Sequence, residues 1–320
     1  MTTMDYDVIV LGEVLLEVGT SAVFRDGVEA RLGCSGDALN AAAAAAAAGA
    51  RVGLLTRIGD DEVGEGIVAR IEELGVDTGL VDRTGGHNGC YLMRADPGGT
   101  RGFAYMRRGS AASGLSPDDV RRARLGERAR CVLTSGITAA LSDTARAAVL
   151  AAKEAANEFV YDPNHRPALV GSDEAAATLR AVSEGAKLVT PSHPGETSAL
   201  LGCGTSEEAA RELRALGTEA VAVTCGGDGV LVEAESRDGS WRLPPVPARS
   251  VVDQTGAGDV FAGTVTARLA LGDELPVAVG LAAAAASLSV GGRGGTGGIP
   301  AIGSTREHLA TSPGSVSCAG

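Results

Sequence analysis

Residues Val252-Asp253-Gln254-Thr255-Gly256-Ala257-Gly258-Asp259-Val260-Phe261 join a turn of small residues to an apolar helical stretch. Gly256, Ala257 and Gly258 carry almost no side chain. Their backbone N–H groups can converge on one anion at the helix start, where the dipole also favours negative charge. Asp259 sets a carboxylate beside that anion site. A carboxylate there opposes a phosphate unless it takes a proton from an incoming hydroxyl, so the string suits phosphoryl transfer to an alcohol. For the four residues GAGD alone, an ordinary turn with an acidic first-turn residue is the competing reading.

Other segments offer groups for a polyol and a nucleotide. Gly33-Cys34-Ser35-Gly36-Asp37-Ala38-Leu39-Asn40 leads into a run of alanines. Gly36 would let a ligand approach the backbone, and Asp37 and Asn40 offer hydroxyl partners. Ser35 or Asp37 could equally cap the helix. In Phe103–Ser113, the Arg107 fork can hold a carboxylate by two hydrogen bonds, and Tyr105 can cover an apolar sugar face. An exposed arginine on a surface strand is the plainer alternative. Glu196, in Pro191-Ser192-His193-Pro194-Gly195-Glu196, is a hard oxygen ligand of the kind Mg²⁺ prefers, or a helix-start glutamate favoured by the dipole. Thr224-Cys225-Gly226-Gly227-Asp228-Gly229 closes an apolar strand. The chain has no G-x-x-x-x-G-K-[ST] loop, and Gly256, Gly258 and Gly263 do not fit G-x-G-x-x-G, which disfavours a dinucleotide dehydrogenase.

The elements that must position these groups alternate. Strands are expected at Asp7–Leu11, Arg51–Ile58, Val132–Ser135, Phe159–Tyr161, Leu188–Thr190 and Ala220–Thr224. Helices are expected at Asn40–Ala50, Gly64–Leu74, Ser142–Asn157, Ser172–Gly185 and Ser206–Leu216. This rhythm predicts a doubly wound α/β domain with a mainly parallel sheet covered on both faces. Two segments, about 14–32 and 87–107, are β-like and punctuated by Gly, Asp and Pro. They are expected to form a small β lid over the strand ends, where ligands of such folds sit, with ungated surface hairpins as the alternative. One domain, 1–303, holds both; 304–320 is expected to be a partly disordered tail, frayed from Pro313.

Composition narrows the partners. The 320 residues are 44% hydrophobic, 21% charged and only 3% aromatic, with a net charge of −12. That implies a core of Ala, Val and Leu, and no basic face for nucleic acid. Six cysteines without C-x-x-C spacing read as reduced and structural. The N-terminus lacks a basic-then-apolar leader and Ala41–Ala48 is too short to span a bilayer, so a cytoplasmic location is expected.

The string D-x-x-G-A-G-D-x-F resembles the second signature of the PfkB (ribokinase-like) carbohydrate kinases. Gly33–Asn40 resembles the first, with Ser35 in place of its first Gly, and Gly59–Gly64 is similar to the family's G-x-D-x-x-G run, read here as a turn and helix start. Tyr105-x-Arg107-x-Gly109-Ser110-Ala111, Ser135–Ser142 and Asp162–Pro167 resemble the 2-keto-3-deoxygluconate kinase branch. His165 stands where Tyr or Phe is common there, and Val170 where Trp is common. Ser192 replaces the usual Asn of an Asn-x-x-Glu motif, and Glu196 lies one residue late.

The resemblance implies a ribokinase-like fold and ATP-dependent transfer to a sugar hydroxyl, with 2-keto-3-deoxygluconate the foremost acceptor. It implies Asp259 as base, with the Gly256, Ala257 and Gly258 amides holding the transferring group. Gly36, Asp37, Asn40, Tyr91, Tyr105, Arg107 and Arg166 would meet the sugar. Ser192, Glu196, Thr224, Gly226, Gly227 and Gly229 would meet ATP. Glu196 would organise Mg²⁺ indirectly, and Asp253 and Thr255 a monovalent cation such as K⁺. A homodimer through the lids is implied. Other acceptors (fructose, a nucleoside, an aminocyclitol oligosaccharide of the acarbose type) and a non-catalytic sugar sensor are the alternatives.

Overall fold

A computed structural model describes residues 4–94, 102–235 and 237–312. Nine strands form one sheet in the order β13-β12-β11-β10-β9-β8-β1-β4-β5. Seven of them are parallel: β1 (Tyr6–Leu11), β4 (Val52–Gly59), β5 (Val81–Thr84), β8 (Ala129–Ser135), β9 (Glu158–Asp162), β10 (Leu188–Val189) and β11 (Ala220–Thr224). β12 (Val230–Ala234) and β13 (Arg237–Leu243) close one edge antiparallel. Within β1, Val8 and Val10 join one apolar cluster while Ile9 and Leu11 join the cluster on the opposite face. Burial on both faces explains why the parallel strands read as unbroken apolar runs.

A second sheet of four strands, ordered β3-β2-β6-β7, comprises β2 (Leu15–Thr20), β3 (Arg31–Ser35), β6 (Gly89–Arg94) and β7 (Gly102–Met106). These are the two segments set apart by their Gly, Asp and Pro punctuation, although β3 runs on to Ser35 and residues 95–101 lie outside the described residues. Residues 302–311 form a helix, so the polar tail expected from 304 starts later than its composition suggests. The expected fraying from Pro313 falls outside the described residues.

Two helices from opposite ends of the chain matter most for the site. Asp37–Ala47 and Ala257–Ala270 pack closely, and a Cβ on Gly263 would overlap the carbonyl of Ala41. Small residues at this seam bring the first turns of both helices together. Asp61 accepts a hydrogen bond from the Gly64 amide at 2.8 Å and caps the helix Glu62–Glu73. The G-x-D-x-x-G run is therefore a turn and helix start, as its residues suggest.

Candidate active site

The site forms where β1, β8, β9 and β10 end, in the crevice beyond the strands' carboxyl ends. Asp37, Ser135, Asp162 and Asp259 line one small cavity there of about 10 Å³. Asp259 lies in the first turn of Ala257–Ala270 and is buried. Asn40 Nδ2 donates to its Oδ2 at 2.8 Å, and Asn164 Nδ2 donates to its Oδ1 at 2.7 Å. Burial, with the nearby charge of Asp37, pushes the Asp259 carboxyl up to about 6; the two amide donors and the Arg166 charge pull against that rise. The group is a carboxylate at neutral pH, oriented by two amides and able to take a proton.

In front of it the helix start is open. Its cap residue, Gly256, has a left-handed φ of 81° and offers no side-chain cap. The N–H groups of Gly258 and Asp259 have no acceptor among the described residues, whereas the Ala257 amide, expected to join them, donates to the Gln254 carbonyl at 3.3 Å. Unsatisfied helix-start amides beside an oriented carboxylate can hold an anion next to a hydroxyl that loses its proton.

Asp37 is buried and accepts from Ser135 Oγ at 2.5 Å and Thr138 Oγ1 at 3.1 Å through Oδ2. Its Oδ1 is buried with no partner. Burial raises its carboxyl above the usual range. Such an orphan acceptor is costly unless a ligand hydroxyl donates to it. Asp162, also buried, is raised well above the ordinary range by burial and then by the charges of Glu196 and Asp259. Arg166 is exposed; it donates to the His165 carbonyl at 3.1 Å and sits near enough to lower both acids.

Several sequence expectations change at this level. At Gly36 no room is left for a ligand: a Cβ would overlap the Glu13 carbonyl, so the glycine admits the chain itself. Asn40 commits one of its two Nδ2 N–H groups to Asp259, and its Oδ1 accepts from Ser35 Oγ at 3.4 Å. Arg107 is not a free fork, because its Nε and Nη2 both pair with Glu13 Oε2, the former at 2.7 Å. Tyr91 directs its hydroxyl at Glu17 and Ser35. Tyr105 lies edge-on to Tyr91, with the Arg107 guanidinium 5.4 Å from its ring centre. Both Glu196 oxygens are taken, by the His165 amide at 2.6 Å and the Ser192 amide at 2.7 Å, so this side chain ties two loops together.

The nucleotide candidates divide in the same way. A Cβ on Gly229 would overlap the Leu243 carbonyl, which makes that glycine structural, whereas Gly226 and Gly227 face open space. The Thr224 hydroxyl only reaches back to the Pro191 carbonyl, at 3.5 Å. Asp253 Oδ1 accepts from Thr255 Oγ1 at 2.8 Å and Oδ2 from the Gly294 amide at 3.0 Å. Asn164, which the sequence reading passed over, joins the site through a loop residue with φ 39°. Its sequence signals are its place in the Asp162–Pro167 segment and the Pro163-Asn164 pair, since Asn tolerates left-handed backbone in turns.

The chain matches the pfkB family carbohydrate kinases over residues 10–302. It belongs to that family. It is 37% identical over 281 residues to the 2-dehydro-3-deoxygluconokinase of Thermoproteus tenax, covering 86% of this chain and 85% of that protein. It is 30% identical over 287 residues to the enzyme of the same name from Bacillus subtilis, covering 87% and 86%. The structure aligns with that of a PfkB protein from Polaromonas sp. JS666 at TM-score 0.82 and 27% identity, covering 95% and 99%. The fold is ribokinase-like and the protein is a carbohydrate kinase.

Proposed function

We propose that this kinase transfers the γ-phosphate of ATP to a hydroxyl of 2-keto-3-deoxygluconate, the compound also written 2-dehydro-3-deoxygluconate. The observation that carries the reading is Asp259, clamped by Asn40 and Asn164 beside helix-start amides that have no acceptor. Asp259 takes the acceptor's proton at Oδ1 or Oδ2 as the hydroxyl oxygen attacks phosphorus. The Gly258 and Asp259 amides meet the charge on the transferring group. Asp37 Oδ1 accepts from a second sugar hydroxyl. Arg166, the exposed cation near both acids, meets a carboxylate or phosphate oxygen. The acceptor follows the names of the two relatives.

Mg²⁺ fits this donor set only as a passenger of ATP. No group of three or more His, Cys, Asp or Glu side chains converges on one point among the described residues, and Glu196 is already bound to backbone amides. Asp162, whose charge is disfavoured by Glu196 and Asp259, is the carboxylate a phosphate-bound cation would relieve. When bound, the ion neutralises phosphate oxygens during transfer. For K⁺, Asp253 and Thr255 remain the candidates.

One face of the small sheet supports a homodimer. Leu16, Val18, Cys90 and Leu92 share it with Leu32, 73% exposed, and Met106, 50% exposed. Covering such a surface is a reason for association.

Another acceptor is the second reading, favoured by the pairing that cancels the Arg107 charge. A panel of 2-keto-3-deoxygluconate, fructose, a nucleoside and an aminocyclitol oligosaccharide with ATP and Mg²⁺ tests both; faster turnover of a neutral sugar overturns the first. Asp259→Asn should bind ATP, keep the fold and lose about 10²–10⁴-fold in kcat. More than about a tenth of wild-type kcat would rule out Asp259 as the base.

A further inference from the structure

Glu13 follows β1 and Gly12, and its carboxylate is completely buried. Four elements meet on it. Arg107, at the end of β7, sends Nε and Nη2 to Oε2. Ser110 Oγ donates to Oε1 at 3.3 Å. Gly89, at the start of β6, lacks a side chain where a Cβ would crowd Oε1. Gly36, just before Asp37, admits the Glu13 backbone. The pair therefore ties the small sheet to the main one beside the acceptor groups. The Arg107 charge reaches Asp37, whose Oδ1 is the orphan acceptor.

The pairing changes what Arg107 can do. A buried guanidinium held by a carboxylate carries little net charge outward, so it does not attract anions at a distance. Two of its three nitrogens are committed, and Nη1 has no partner among the described residues. The stacking of the guanidinium over Tyr105 restricts its plane further. Of the five donors of an arginine three are left over, the two on Nη1 and one on Nη2.

We propose that Glu13 is a positioning residue for acceptor recognition: it fixes Arg107 so that Nη1, the nitrogen with both donors uncommitted, is presented to the acceptor. This rests on the acceptor reading given above. It makes recognition at Arg107 a matter of geometry rather than charge. Glu13 and Arg107 then act as one unit, and removing either loses the same contact.

The test is a double-mutant cycle on the whole chain, with kcat and KM measured for the acceptor and for ATP. Glu13→Gln and Arg107→Ala should each raise the acceptor KM about 10- to 100-fold, the range for one charge-assisted hydrogen bond. The double variant should be no worse than the worse single. kcat and the KM for ATP should move far less. Arg107→Lys guards against misfolding of the others, since it keeps the charge but not the fork, and should match Arg107→Ala. Additive effects, an unchanged acceptor KM in Glu13→Gln, or wild-type KM in Arg107→Lys would each overturn the proposal. A merely structural pair would lower Tm and leave the KM of the folded fraction unchanged. If the wild type takes a neutral sugar and refuses the acid, the acidic-acceptor reading fails by itself. The same cycle on the neutral sugar then decides Glu13: non-additive KM effects uphold its role and additive ones remove it.

Discussion

Asp259 has to stay ionised in a buried site and yet accept a proton. Its two asparagine partners answer the first demand, because each N–H stabilises the charged form. The burial that raises it to about 6 answers the second. Removing one donor should therefore raise the pKa further. In Asn164→Ala the acidic limb of kcat/KM, expected near pH 6 in the wild type, should move to higher pH, with a lower plateau. A pH–rate profile checks this, and a limb that stays in place would mean Asn164 does not bond the ionised base. Asn40 was legible in the sequence as a polar residue at a glycine-rich helix start. Its partner was not, because Asn40 and Asp259 are 219 residues apart and a hydrogen bond across that separation leaves no local pattern. Glu13 was missed for a related reason. A glutamate after an apolar strand looks like a solvated loop residue until the fold delivers Arg107 to it.

At the scale of elements, the GAGD string holds two glycines with different duties. Gly256 needs its left-handed φ of 81°, and a Cβ there would meet the Gly295 carbonyl at 3.1 Å and Asn40 Nδ2 at 3.2 Å. Gly258 is the second residue of the helix, and a Cβ on it meets nothing within 4 Å. Substitution to Ala separates them. Gly256→Ala should lose stability and activity together, through strain and a displaced Asn40. Gly258→Ala should keep stability or gain a few tenths of a kcal/mol, because the position is helical and open but lies in the first turn rather than the interior. It should also lose at least about tenfold in kcat, since the methyl stands beside the free amides. Tm and kcat on both variants are the measurements, and a fully active Gly258→Ala would remove the anion-holding role from that amide. The parallel strands and the helices between them were readable because burial on two faces leaves apolar runs, and helix ends lie within a few residues of the glycines and caps that mark them. β12 and β13 were not marked: β12 (Val230–Ala234) is a short apolar run buried like its parallel neighbours, and among the described residues of the edge strand β13 only Trp241 and Leu243 pack on the core, too few apolar positions to set a pattern.

For the molecule as a whole, the site is a cost to the fold. Glu13 and Asp259 are each raised to about 6 by burial, Asp162 well above its usual range, and Asp37 in the same direction. All of them gather at the strand ends of a chain whose net charge is already −12. A carboxyl whose folded pKa exceeds its unfolded value binds protons more tightly in the native state. Its contribution to stability is present below the unfolded pKa and is lost as pH rises through the folded one. The window for Asp259 runs from about 4 to about 6. Buried His165 and His308 have lowered pKa values and act in the opposite sense, losing stability as pH falls, so the wild-type curve alone mixes the two signs. The difference between wild type and Asp259→Asn cancels the histidines and reports Asp259 together with its coupling to Asp37 and Asp162. From pH 4.5 to 7.5 that difference should move in favour of the variant by about 2 kcal/mol, or roughly 3 °C in Tm for a chain of this length. Thermal unfolding of both proteins across that range, without nucleotide or sugar, measures it. A difference that stays flat would mean Asp259 ionises as freely in the folded chain as in the unfolded one, and that burial does not tune this base.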